Sequence, residues 1–229
     1  MDFASDGIKQ AVGIILSGDR EVLEILSLTM RVSLISALIA AVIGAPAGFA
    51  IGAGKFRGRE FLIAVLNTLM SLPTVTVGLV VYAMISRRGP LGELGLLFTP
   101  TAIIIGEVVL ALPIVSALSC AAARGIDEQA WKTAATLGAG RARAFFTVLR
   151  EARYTILAAV VAGFGRVIAE VGSATMLGGN IKGATRTLTT TIAFETGKGE
   201  FGFSLALGII LLLIAFLVTG AFHLLNKKV

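Results

Sequence analysis

The sequence predicts an all-α integral membrane protein with five transmembrane helices, and two observations carry that prediction. Hydrophobic residues make up 56% of the 229-residue chain and charged residues only 15%, which is more apolar and less charged than a soluble domain of this length. The apolar residues are concentrated in long blocks separated by short polar connections, as in multi-spanning membrane proteins. The net charge of +6 is then explained by basic residues on the connecting loops, and no nucleic-acid partner is needed.

Five blocks reach the length of about 20 residues that a helix needs to cross a bilayer. Together they form a single transmembrane domain over residues 1–229. Each block is predicted to be helical, because an isolated span must satisfy its own backbone hydrogen bonds. They cover residues 22–54, 61–86, 101–123, 154–177 and 203–225.

The segment before the first block is too short to span. Residues 8–16 are predicted to form an amphipathic helix that lies on the membrane surface. Acidic residues stand where a signal peptide would be basic, so we expect no cleavable signal. The connections after the first and third blocks, with the C-terminal tail, hold eleven lysines and arginines, against seven on the other side. This bias predicts that the N-terminus is outside and the C-terminus inside.

Proline interrupts three of the blocks, at Pro46, Pro73 and Pro113. Each proline removes a backbone hydrogen bond and is predicted to kink or break its helix. This pattern suits a bundle that bends around a cavity, although a packing kink is the simpler interpretation. Thr74 and Thr76 follow Pro73, and they either line such a cavity or bond back to their own helix.

The largest inward connection, residues 124–153, is predicted to be structured. Asp127 is placed to cap a helix that Gly138 ends, and a second helix begins near Arg141. Its apolar stripe at helical spacing is Ala142, Phe145, Phe146 and Leu149. Small residues cluster at the turn between the two helices, which favours close approach by a partner over a plain linker; they are Ala134, Ala135, Gly138, Ala139 and Gly140.

The stretch AATLGAGRARAFFTVL in this connection resembles the "EAA" coupling loop of ABC-importer permeases. Ala134, Ala135 and Gly138 match its Ala-Ala-x-x-Gly core. Thr133 stands where the family has glutamate, and Glu128 is the substitute we consider. Arg150 and Glu151 replace the Leu-Pro that ends the family pattern.

The resemblance covers nearly the whole chain. Residues 26–48 are similar to the first core helix of these permeases, and residues 71–81 resemble the Leu-Pro-x-x-Val-x-Gly segment of the second. Residues 163–192 combine Phe-x-Arg-x-x-x-Glu-x-Gly with Gly-Asn-Ile and Thr-x-Thr-Leu, and they resemble the molybdate, tungstate and sulfate branch. Residues 148–172 look closest to the tungstate type.

The resemblance implies the type I ABC importer (MetI-like) fold and a permease in a prokaryotic inner membrane. The cargo would be an oxyanion, tungstate first, with molybdate and sulfate as alternatives. Two copies would form the pathway, and an extracytoplasmic binding protein would deliver the anion. Two ATPase subunits, which hold the Mg-ATP, would dock on the coupling loop, so this chain would bind no cofactor or metal and have no catalytic residue. The predicted docking residues are Glu128, Ala134, Ala135, Gly138, Ala139, Phe145 and Phe146.

The fourth block carries Arg166 and Glu170 four residues apart, so they share a helix face that Ser173 continues. A charge at the bilayer centre costs at least ~2.5–3.5 kcal/mol, so this face is predicted to avoid lipid. The pair either locks the helix structurally, which we favour, or exposes Arg166 to a passing dianion. The hydroxyls of Ser173 and Thr175 are further candidates for the pathway. Glu107 in the third block has no evident partner in the sequence.

Two other function classes remain open at this point. In a stand-alone channel or proton-coupled transporter the charged pair would act as a proton relay, but such a protein does not need an ATPase dock. An intramembrane enzyme is disfavoured, because the chain has one histidine, His223, one cysteine, Cys120, and no paired acidic motif.

Overall fold

The computed structural model describes residues 2–126, 133, 136–138 and 140–226. Within these ranges the regular structure is helical throughout. The helices are α1 (Asp2–Ser17), α2 (Arg20–Ala53), α3 (Arg59–Met70), α4 (Thr74–Ile85), a 3-10 turn (Gly92–Leu94), α5 (Pro100–Arg124), α6 (Arg141–Glu151), α7 (Arg153–Ile168), α8 (Gly172–Gly178), α9 (Leu188–Lys198) and α10 (Phe201–Asn226).

Three of the described helices, α2, α5 and α10, are each long and apolar enough to cross a membrane. They coincide with the first, third and fifth predicted blocks. The second and fourth blocks are pairs of helices instead of continuous ones. The axes of α3 and α4 differ by 97°, and those of α7 and α8 by 61°. The described helices therefore give three spans, or up to five if each bent pair counts as one.

The three prolines lie in different settings, and the helix is broken at one of them. Pro73 is the N-cap of α4 and lies at the break. Pro46 and Pro113 lie inside the uninterrupted helices α2 and α5. A single missing hydrogen bond is tolerated there, because each helix is packed along its length against the other.

The core of the bundle is the contact between α2 and α5, which run parallel. Gly44, Gly48 and Gly52 follow each other at four-residue spacing on the face of α2 that meets α5. A Cβ atom on Gly48 would overlap the backbone of Ser116, so glycine is what permits this approach. The sequence reasoning overlooked this stripe, although small residues at i, i+4 and i+8 are a known signature of close helix packing in membranes.

The N-terminal helix α1 is longer than the predicted segment 8–16, and it packs against α10. Ala11 on its inner face is buried, whereas Ile8, Val12 and Leu16 are 52%, 46% and 81% exposed. These three residues form an exposed apolar stripe at four-residue spacing. The stripe is consistent with an amphipathic helix, and its place on the membrane surface stays a prediction.

Helix α9 was not predicted from the sequence. Its N-terminus is closed by a capping box, in which Thr187 and Thr190 exchange side-chain and backbone hydrogen bonds. Helix α9 folds back on α10 and also meets α2, where the Leu188 N–H donates to Thr29 Oγ1 at 2.9 Å. An 11-residue threonine-rich helix lacks the long apolar run that identifies a span, so the hydropathy pattern could not reveal it.

Candidate functional site

The break between α7 and α8 is organised around Glu170. Helix α7 ends at Ile168 and α8 begins at Gly172. The Glu170 side chain is only 2% exposed; its Oε2 lies 2.8 Å from a terminal nitrogen of Arg166. Its Oε1 accepts a hydrogen bond of 3.0 Å from the Ser173 N–H. One carboxylate therefore neutralises the last cation of α7 and caps the first turn of α8.

This geometry corrects one part of the sequence analysis. Arg166 and Glu170 form the expected ion pair, but Ser173 does not continue their helical face, because it belongs to the next helix. Its backbone amide, not its hydroxyl, binds Glu170. The Ser173 Oγ is buried and has no hydrogen-bond partner among the described residues.

A third helix closes over the break. The Thr189 hydroxyl of α9 donates to the backbone carbonyl of Glu170 at 2.6 Å, and Thr189 is buried. A carbonyl freed by the end of α7 is thereby satisfied inside the protein. The Thr-rich segment was noted in the sequence only for its resemblance to oxyanion permeases. The signal that could have revealed this contact is the run of threonines, whose buried hydroxyls can satisfy backbone groups at a helix break.

Glu107 of α5 joins the same buried cluster. It is 3% exposed, and both Ser36 of α2 and Glu170 lie within electrostatic reach of its carboxyl group. Its Oε2 has no hydrogen-bond partner among the described residues. The neighbours that the sequence did not reveal are thus a serine on α2 and the second carboxylate, Glu170.

The two helix breaks meet in space. A Cβ atom on Gly172 would lie 2.9 Å from the Val75 side chain and 3.2 Å from Thr74 Oγ1. Gly78 of α4 packs equally closely on the backbone of Ser173. The first turns of α4 and α8 are therefore adjacent, and each contributes backbone N–H groups with partial positive charge.

The six predicted pathway residues divide into two groups. Thr74, Arg166, Glu170 and Ser173 come together at the two breaks. Thr76 lies in the first turn of α4 but is exposed. Thr175 is exposed, and its hydroxyl donates to the Val171 carbonyl at 2.8 Å, so its hydrogen bond is made within its own helix.

The accessible part of this site is Arg166. Its side chain is 37% exposed, whereas Glu170 is 2% exposed. The guanidinium has further N–H donors beyond the one that binds Glu170. The arrangement can offer a cation whose attraction for an anion is moderated by a buried carboxylate. The N-terminus of the neighbouring helix α4 adds partial positive charge.

The second candidate surface is the connection 124–153. Gly138 has φ +77°, as a glycine that ends a helix does, and α6 begins after Gly140 as expected. Four of the predicted docking residues, Glu128, Ala134, Ala135 and Ala139, lie outside the described residues, as does most of the predicted helix before Gly138.

The apolar face of α6 differs from the predicted stripe. Ala144 and Val148 are its buried residues, and the Phe145 ring packs edge-on against Phe49 of α2 at 5.3 Å between centroids. Ala142 is exposed and Phe146 is 66% exposed, so part of the predicted stripe faces away from the bundle. The covered face of α6 is rotated relative to the predicted stripe. Residues 144, 145, 148 and 149, at the 3.6-residue period, are the ones that face α2 and α5.

Thus Phe145 and Phe146 have opposite environments. Phe145 ties α6 to the end of α2, while Phe146 points outward. Leu137 at the turn is 82% exposed. Phe146 and Leu137 are therefore both uncovered in the connection 124–153. Exposed apolar side chains with polar residues around them are typical of an interaction surface.

Comparisons with known proteins identify the family. The family model of the binding-protein-dependent transport system inner membrane component matches residues 29–229. The chain is 40% identical to the tungstate uptake system permease protein TupB of Campylobacter jejuni, covering 99% of this chain and 95% of that protein. It is 37% identical to the protein of the same name from Peptoclostridium acidaminophilum over the full length of both. Identity to the molybdenum transport system permease protein ModB of Escherichia coli is 29%, over 82% of this chain and 89% of that protein. The chain therefore belongs to the family of inner-membrane components of binding-protein-dependent transport systems, the permease subunits of ABC transporters.

Proposed function

We propose that this chain is the permease of an ATP-driven tungstate importer. The observation that carries the proposal is the similarity, over essentially the whole chain, to two permeases whose names specify tungstate. A molybdenum permease shares fewer identical residues and aligns over a smaller part of this chain. Molybdate and sulfate are the alternative cargoes, because all three are tetrahedral dianions that a weak path need not distinguish.

Two copies of the chain form the pathway in this proposal. The support is α3, whose twelve residues include none that is buried within the described structure. A segment of a span that finds no cover in its own chain is suited to packing against a second copy. The N-terminus lies outside and the C-terminus inside, as the distribution of lysine and arginine predicts.

The anion passes the paired breaks of α4 and α8. Arg166 supplies a positive charge that Glu170 partly neutralises, and conduction needs such a weak site, because a tight one would not release the ion. Thr74 and the first-turn N–H groups of α4 provide further polar contacts. Glu170 itself is structural: it is buried and its oxygens bind Arg166 and Ser173.

Two partner ATPases, which carry the Mg-ATP, dock on the connection 124–153. The exposed Phe146 and Leu137 are the described apolar contacts that such a partner would cover, and Gly138 shapes the turn between them. Movement of α6 would be transmitted through Phe145 to the end of α2, because their rings are in direct contact. A stand-alone channel, the alternative function, would not need an ATPase-docking surface on the connection 124–153.

The docking part is tested by Phe146→Glu in a pull-down of the ATPase with the detergent-solubilised permease. We expect association to be lost while membrane insertion is retained. Leu94→Glu is the matched control, since Leu94 is similarly exposed, at 62%, but lies in the connection between α4 and α5. Retained association of Phe146→Glu would remove the docking proposal.

The cargo is tested separately on the partner binding protein by calorimetric titration with tungstate, molybdate and sulfate. The proposal expects tungstate to bind most tightly. A preference for sulfate would contradict the tungstate assignment and leave the permease function untouched.

A further inference from the structure

A cleft of about 630 Å³ lies beside the first three turns of α2. Its walls are α2, the connection before α9 and the start of α5 at Pro100. The cleft carries four cations and two carboxylates, a formal excess of two positive charges. These charged residues are Arg20, Glu21, Glu24, Arg31, Lys182 and Arg186.

The two carboxylates are already used by cations of the cleft. Glu21 lies 2.6 Å from Lys182 Nζ and 3.4 Å from an Arg186 terminal nitrogen. Glu24 lies 3.2 Å from Arg20 Nε. The excess positive charge therefore is not neutralised within the cleft.

Arg31 is the cation of the cleft that neither carboxylate pairs with. It is exposed and has no ion pair or hydrogen bond among the described residues. Arg186 lines the same cleft, but its side chain is only 12% exposed and is paired with Glu21 at 3.4 Å and Glu195 at 3.8 Å. The guanidinium with free N–H donors is therefore that of Arg31, and guanidinium is the side-chain group best matched to a phosphate.

The cleft opens onto an apolar helix face. Arg31 lies eleven residues after Arg20, about 16 Å along α2, and at 100° per residue the two point in nearly the same direction. The same face continues through Leu34, Leu38 and Val42, which are 52%, 63% and 66% exposed. Since α2 is long and apolar enough to cross the membrane, this stripe is suited to contact with acyl chains.

We propose that the cleft binds the phosphate headgroup of an anionic phospholipid, whose acyl chains lie along the stripe of Leu34, Leu38 and Val42. The excess positive charge attracts the phosphate, Arg31 provides unused donors, and the stripe accommodates the tails. A free oxyanion would match the charge but not the stripe, and it would fill little of the cleft. The inference holds whichever oxyanion the importer carries.

The test is native mass spectrometry of the full-length chain in detergent, titrated with phosphatidylglycerol and with phosphatidylcholine. The wild type is expected to bind phosphatidylglycerol about tenfold more tightly. Arg31→Gln should weaken phosphatidylglycerol about fivefold, as about 1 kcal/mol per cation implies, and leave phosphatidylcholine unchanged. Arg31→Lys should largely restore binding. The matched control is Arg88→Gln, an exposed cation of the connection after α4, which should bind as the wild type does.

Four results would overturn the proposal. Two of them are equal binding of the two lipids and a loss that follows Arg88→Gln instead of Arg31→Gln. The third is displacement of phosphatidylglycerol by millimolar tungstate or inorganic phosphate, which would make the cleft a site for a free anion. The fourth is efficient disulfide cross-linking of Leu38→Cys between two copies in membranes, which would place a second chain over the stripe. Absence of that cross-link supports the lipid.

Discussion

The two broken spans reach similar shapes by different means. The α3–α4 break is set by the backbone, because Pro73 caps α4 and can donate no hydrogen bond to the turn before it. The α7–α8 break contains no proline and depends on side chains: Glu170 binds Arg166 and the Ser173 N–H, while Thr189 binds the Glu170 carbonyl. The first break adjoins α3, which has no buried residue, whereas the second is enclosed.

The difference teaches that a broken helix in a membrane can be encoded locally or by its surroundings. A proline break survives most changes around it. A break made by a buried network depends on each partner, because a buried polar group that loses its partner is costly. The two breaks are therefore expected to respond unequally to mutation.

The largest effect is expected for Glu170→Ala. It leaves Arg166 without its counter-charge and uncaps α8, at a cost of about 3 kcal/mol. We expect the Tm of the purified protein in detergent to fall by roughly 6–12 °C, with a lower yield. Glu93→Ala is the control, because Glu93 is exposed in the connection before α5, and it should shift the Tm by about 1 °C or less. Equal Tm values for the two variants would show that the α7–α8 break does not depend on Glu170.

A smaller effect on stability is expected for Pro73→Ala. Alanine restores an N–H and lets the break straighten, but the exposed α3 loses few contacts, so the change in unfolding free energy should stay near 1 kcal/mol. The expected signature is reduced transport at nearly normal Tm. Pro46→Ala is the matched control, since Pro46 lies in a helix that is not interrupted. A Tm loss as large as that of Glu170→Ala would erase the proposed difference between the breaks.

An effect on stability no larger than about 1 kcal/mol is also expected for Thr189→Val. It removes one buried hydrogen bond to the Glu170 carbonyl and should cost about 1 kcal/mol, seen as a Tm decrease of a few degrees. Thr175→Val removes an exposed hydroxyl that bonds within its own helix, and its Tm should hardly change. If both variants have the same Tm, α9 does not stabilise the second break.

The long helices could be predicted from sequence because their signal is length and hydropathy, which the environment scarcely alters. Three of five blocks agree with α2, α5 and α10 within two or three residues. The proline at position 73 predicted the first break, between α3 and α4. The second break could not be predicted, because Ala169, Glu170 and Val171 contain no helix breaker, and what interrupts the helix is a set of partners distant in sequence.

The site shows the same division. The i, i+4 spacing of Arg166 and Glu170 predicted their ion pair, because two residues so close in the chain are held near each other by the local backbone. The contribution of Thr189 from α9, and that of Ser36 and Glu107 across the bundle, depend on tertiary packing that a sequence pattern does not contain. On α6, the helix itself was foreseen near Arg141, but its rotation was not, because Phe49 and its neighbours decide which side is covered.

The account as a whole is tested most directly by uptake of radiolabelled tungstate into proteoliposomes containing this chain, its ATPase and its binding protein. ATP-dependent uptake is expected, with molybdate and sulfate as weaker competitors. Arg166→Gln should reduce uptake while the ATPase remains associated. Uptake without ATP or without the ATPase, or ATP-driven uptake of sulfate in preference to tungstate, would contradict the account.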